Sequence, residues 1–111
     1  MTYAVLIVED ESTLASNMAR FLGRHGYDTR IADTAETALF ELRTFKPHAI
    51  VLDYNLPGMN GLEFLARVRA TDPQVKLIMA TGHGSEQVAV DAMKAGAYDY
   101  LPKPVPLGRL K

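Results

Sequence analysis

There is no cysteine in the chain, so disulfide bonds and thiolate metal sites are excluded. Nor is there an excess of either charge. Twelve Lys+Arg stand against 13 Asp+Glu, which leaves no electrostatic footprint for nucleic acid. Apolar runs long enough to span a bilayer are missing, as are the charged and apolar regions of a signal peptide. No internal repeat, low-complexity segment or linker interrupts the chain, and no His/Cys/Asp group has zinc-site spacing. These absences lead to the expectation of one soluble cytoplasmic domain over residues 1–111. It is large enough to bury a single core and has no membrane or nucleic-acid contact of its own.

What is present is a regular alternation of strand and helix patterns. Ala4-Val5-Leu6-Ile7-Val8 and Ala49-Ile50-Val51-Leu52 are apolar throughout, as strands buried on both faces should be. Tyr27-Asp28-Thr29-Arg30-Ile31 alternates apolar and polar, the mark of a half-exposed edge. Ser12 is placed to cap a helix with Leu14, Met18, Phe21 and Leu22 on one face, ended by Gly26. Thr34 is placed to cap a second, carrying Ala38, Leu39 and Leu42. A third follows Asn60, with Leu62, Leu65 and Ala66 expected inward. Ser85 would cap a fourth, with Val88, Ala92 and Met93 inward and Gly96 at its end. Plain core packing accounts for all of these stripes.

Alternating strands and helices imply parallel strands joined by right-handed crossovers. The order 2-1-3-4-5 satisfies the reading of strands 1 and 3 as central and strand 2 as an edge, and puts a switch point between strands 1 and 3. Parallel strands all end on one side of the sheet, where ligands bind at the switch point. Strand 1 runs into Glu9-Asp10 and strand 3 into Asp53. Leu77-Ile78-Met79-Ala80 runs into Thr81, and Tyr98-Asp99-Tyr100-Leu101 leads to Lys103. Carboxylates, a hydroxyl and an ammonium meeting at one edge suit a divalent cation and a phosphoryl group.

Across essentially its whole length the chain resembles the receiver domain of bacterial two-component response regulators. The residues that carry the resemblance are Val8-Glu9-Asp10-Glu11, the run Leu52-Asp53-Tyr54-Asn55-Leu56-Pro57-Gly58-Met59-Asn60-Gly61, Thr81-Gly82 and Lys103-Pro104. Singly these are weak signals; in order, each at a strand end, they are specific. The stretch from Thr81-Gly82-His83-Gly84 through Ala92-Met93-Lys94-Ala95-Gly96-Ala97-Tyr98-Asp99-Tyr100 is similar to receivers of nitrogen-regulation-type activators. The fold this implies is a flavodoxin-like three-layer sandwich around the five-stranded parallel sheet. One departure stands out. Receivers end in a fifth helix, whereas residues 106–111 suffice for barely one turn. The fifth helix is therefore expected to be truncated or absent, leaving the sheet beside the first helix partly uncovered.

The resemblance also implies roles. Asp53 is the phosphoacceptor, its carboxylate attacking phosphorus to form an acyl phosphate. Magnesium is the cofactor, since clustered carboxylates need a cation and Mg²⁺ prefers hard oxygen ligands. Its ligands would be Asp10, Asp53 and the backbone carbonyl of Asn55, with Glu9 acting through water. The family often has Asp where Glu9 stands, and the extra methylene changes reach. Lys103 pairs with a phosphoryl oxygen, aimed by a cis bond to Pro104, and Thr81 donates its hydroxyl to the phosphoryl group. Thr81 and Tyr100 form the switch on the helix 4–strand 5 face. Asn55 and His83 tune attack by water; Asn55 cannot act as acid or base. His25 and His48 read as structural.

The implied partners are a sensor histidine kinase or phosphotransfer protein, the chain's own effector domain in a longer protein, and a second copy if activation drives dimerisation. The output is conformational control of a transcriptional domain or partner, and the domain is not an enzyme in the ordinary sense. Three other readings compete. A phosphorylation-independent pseudo-receiver would serve purely as an interaction domain, against which stands the full set Asp10, Asp53, Thr81 and Lys103. A haloacid-dehalogenase-type phosphatase would need a second Asp where Asn55 stands, and a cap domain. A flavin mononucleotide module of similar architecture would place its phosphate against Glu9-Asp10-Glu11, which would repel it.

Overall fold

The uninterrupted apolar runs form the inner strands. A computed structural model describes residues 3–53, 59, 61–72, 74–81, 91, 93, 94, 97 and 99–102, with the backbone alone at 81 and 99–102. Strands β1 (Ala4–Val8) and β3 (Ala49–Asp53) are buried at every residue but the first. Strand β2 (Asp28–Ala32) buries only Ala32 fully, as its alternating pattern anticipates. With β4 (Lys76–Thr81) and β5 (Asp99–Pro102) they form a parallel sheet in the order β2-β1-β3-β4-β5. The register sets Val8 beside Leu52, Asp53 beside Ala80 and Thr81 beside Pro102.

Side chains alternate across the sheet, and two cores result. Val5, Ile7 and Val51 meet Ala15, Met18 and Leu22 of α1 (Ser12–Arg24) on one face. On the other, Leu6, Val8, Ile50, Leu52, Leu77 and Met79 meet α2 (Ala35–Glu41) and α3 (Gly61–Thr71). Burial of each large apolar side chain contributes about 1.5–3 kcal/mol, so the two cores lock the sheet between its helices. This is the three-layer sandwich expected above.

Local signals set the helix ends, with three differences from expectation. Ser12 is the first residue of α1 rather than its cap; Glu11 is the N-cap, and its carboxylate accepts from the Thr13 and Leu14 amides. Its longer side chain reaches both donors, and its negative charge suits the helix N-terminus. Ala66 is exposed, while Gly61, Phe64, Leu65 and Val68 are buried; both sets have helical spacing, and packing of Phe64 in the core with Ile50, Leu52 and Leu77 selects the second. Met93 has helical backbone but is 49% exposed, as isolated apolar side chains often are. Thr34 does cap α2, accepting from the Thr37 amide at 3.0 Å. At the end of α1 the Tyr27 amide donates to Leu22 and the Gly26 amide to Gly23, each at 3.1 Å. That pairing needs positive φ at Gly26, which stands at 86°. Ser85, Val88, Ala92 and Gly96 of the expected fourth helix, and the truncated fifth helix, lie outside the described residues.

Candidate acidic site at the carboxyl edge of the sheet

Because the strands are parallel, β1, β3 and β4 all deliver their C-terminal residues to one edge. The pairing of β1 with β2 extends one residue further, the Glu9 amide donating to Ala32 at 3.0 Å. Glu9 is thereby held in the sheet and is only 2% exposed. The chain then turns into α1, which leaves Asp10 exposed on the rim. Asp53 ends β3, directly beside β1, and is 4% exposed. One oxygen from each of Glu9, Asp10 and Asp53 lies within 4.8 Å of the other two.

Two nearly buried carboxylates beside a third are mutually repulsive, and such an arrangement favours a cation between them. The three oxygens are close enough for a single cation to interact with all of them, directly or through water. The donors are all hard oxygens, with no imidazole or sulfur, which suits Mg²⁺ better than zinc or copper.

Glu9 is further held by a bond that sequence reading missed: the Glu11 amide donates to Glu9 Oε2 at 3.1 Å. The acidic side chain immediately ahead of the first helix was the available signal. Thr81 ends β4 one residue beyond Ala80, the partner of Asp53, so its backbone reaches the same edge. Tyr100 pairs with Met79 on the outer strand β5. Asn55, His83 and Lys103 lie outside the described residues.

Both remaining histidines serve the fold. Nδ1 of His48 accepts from the Ala4 amide at 3.0 Å, and the His25 ring donates to the Phe21 carbonyl at 3.0 Å. Cavities of about 360 and 370 Å³ also occur among the described residues. Phe45, Lys46, Pro47 and Val75 line the first and Tyr3, His48 and Lys76 the second, so both open where β1, β3 and β4 begin. The carboxylates lie at the opposite edge. Among the described residues no helix is long and apolar enough to cross a membrane.

The similarity to known proteins agrees with this geometry. Residues 5–111 match the response regulator receiver domain family. Nitrogen assimilation regulatory protein NtrX of Azorhizobium caulinodans is 39% identical over 112 aligned positions, covering 99% of this chain and 25% of that protein. Among solved structures, a CheY-like receiver domain protein from Methanospirillum hungatei superposes with a TM-score of 0.93 at 32% identity, covering 99% of this chain and 88% of the other. The receiver domain of NtrX from Brucella abortus gives 0.88 at 34% identity, with 96% and 90% covered. The chain spans about a quarter of the length of the curated relatives NtrX and LuxO. On its carboxylate edge, its sheet order and these likenesses together, the chain belongs to the response regulator receiver domain family, the signalling module of two-component systems.

Proposed function

We propose that Asp53 accepts a phosphoryl group from a phosphohistidine donor and that the resulting charge switches the domain's surface. The observation that carries this reading is the convergence of Glu9, Asp10 and Asp53 at the carboxyl edge of the sheet. A carboxylate oxygen of Asp53 attacks phosphorus; the new P–O bond forms as the donor's P–N bond breaks, and the imidazole leaves with a proton. Bound Mg²⁺ supplies charge neutralisation for the carboxylates and the incoming phosphoryl oxygens. Asp10, Asp53 and the Asn55 carbonyl would hold it, and Glu9 would act through water. Lys103 adds a compact positive charge for a phosphoryl oxygen, and Thr81 a hydroxyl donor.

The phosphoryl group brings about −1.5 to −2 charge and strong acceptor oxygens. Movement of Thr81 toward them would free space that the Tyr100 ring fills, shifting the population of the face around β4 and β5. Asn55 and His83 would set how readily water reaches the acyl phosphate. The donor is a sensor histidine kinase or phosphotransfer protein in the cytoplasm. The output is an effector domain of a longer protein, in keeping with relatives about four times the length of this chain. Receivers of this family are signalling domains rather than ordinary enzymes, and homodimerisation on activation belongs to the same proposal.

The test is intact-mass measurement after incubation with acetyl phosphate, with and without Mg²⁺, beside Asp53→Asn. A hydroxylamine-labile adduct that needs Mg²⁺ and vanishes in the variant is expected. Its absence from both this chain and a longer form carrying the effector would refute phosphoacceptor chemistry and favour a pseudo-receiver.

A further inference from the structure

We infer that Glu11 is a positioning residue for the acidic site: by capping α1 it fixes the backbone amide that orients Glu9, and so raises the site's affinity for its cation. This rests on the cation-binding reading above. Glu11 engages both neighbours at once. Its Oε1 accepts from the Thr13 amide at 3.2 Å and its Oε2 from the Leu14 amide at 2.8 Å. Its own amide donates to Glu9 Oε2 at 3.1 Å. The first two bonds hold Glu11 at φ −83° and ψ 107°, the extended conformation of an N-cap. The third depends on that conformation, because rotating the Glu11 backbone turns its N–H away from Glu9.

The length of Glu9 makes this tether matter. A glutamate has one more rotatable bond than an aspartate, and freezing it on cation binding costs side-chain entropy. A donor that already holds one carboxylate oxygen removes part of that cost in advance, which is preorganisation. Charge is a poor account of Glu11's contribution, since its carboxylate is engaged with two amides at the positive end of the helix. Its effect on the cation therefore comes through geometry. The sequence-level capping candidate, Ser12, could not do this, because it sits inside the helix.

The experiment is calorimetric titration of chelator-treated 111-residue chain with Mg²⁺, with thermal melts of each variant in chelator. Glu11→Ala should weaken Mg²⁺ binding by about two- to fivefold, the upper figure being reached if the whole of a typical N-cap's contribution of about 1 kcal/mol is coupled to the site. Glu11→Asp and Glu11→Ser, both good caps, should restore it. Gly26→Ala strains the far end of α1, beside the start of β2 and away from the carboxyl edge, and should lower the melting temperature without changing Mg²⁺ affinity. In a Glu9→Ala background, Glu11→Ala should have no further effect on affinity. Unchanged binding in Glu11→Ala would overturn the inference. So would rescue by Asp but not Ser, which would assign the effect to charge, or equal weakening by Gly26→Ala, which would assign it to general stability. A wild-type chain that binds no Mg²⁺ would instead overturn the cation-binding reading itself.

Discussion

Replacing Asp53 by Asn should stabilise the cation-free domain, because it removes one of three carboxylates crowded at the sheet edge. Oxygens of Glu9 and Asp53 lie within 4.8 Å, and both residues are almost fully buried. At an effective dielectric of about 20, a like-charged pair at that distance costs about 3.5 kcal/mol. Asp10 adds less, being exposed to water. The Glu11 amide on Glu9 offsets part of the repulsion. A net gain of about 1–3 kcal/mol remains for Asp53→Asn, since the amide keeps the shape and loses the charge. With an unfolding entropy of about 2.1 cal/mol/K per residue, the melting temperature in chelator should rise by roughly 4–13 °C. Added Mg²⁺ should then raise the wild type, by about 2.7 kcal/mol at a hundredfold excess over Kd, and raise the variant much less. Differential scanning calorimetry in chelator and in Mg²⁺ measures both. A melting temperature in chelator that is unchanged or lower in the variant would refute the claim that repulsion dominates. An equal Mg²⁺ response would show that Asp53 is not part of the cation site.

Two further predictions concern what holds the edge in place. Phe64 is fully buried in the core between the sheet and α3, and Phe64→Ala should cost about 3–5 kcal/mol, read as a shift of the urea midpoint. A loss under about 1 kcal/mol would mean that the cavity collapses or that α3 packs differently. Gly26→Ala should cost about 1–2 kcal/mol, because φ is 86° there while a new Cβ would meet nothing within 4 Å. A neutral outcome by the same measurement would mean that α1 ends in another way.

Why some features were legible in advance and others were not follows from the range over which each is decided. The apolar runs at 4–8 and 49–52 and the alternation near 27–31 reveal inner and edge strands by themselves. Burial on one face or two writes itself into residue type at period two. Caps drawn from a short list of residues are nearly as legible: Thr34 and Gly26 act as their types suggest. Ser12 has the better intrinsic capping preference, yet Glu11 caps α1. Which residue caps depends on where the backbone leaves β1, and the pairing of Glu9 with Ala32 sets that exit. Ala66 and Phe64 are both within the periodic pattern of α3, and only the helix's rotation against Ile50, Leu52 and Leu77 settled which faces inward.

The sequence by itself determined the fold class and the carboxylates destined for one edge, since these depend on pattern and on the handedness of short connections, while the observed strand order was one that the burial pattern allows. Only the tertiary structure decided that Glu9 and Asp53 are buried while Asp10 is not, and that one oxygen from each of the three comes within 4.8 Å. It likewise decided that the amide of Glu11 holds Glu9. Residues 9 and 53 are separated by 44 positions, and the distance between them is set by a sheet register that no local signal encodes.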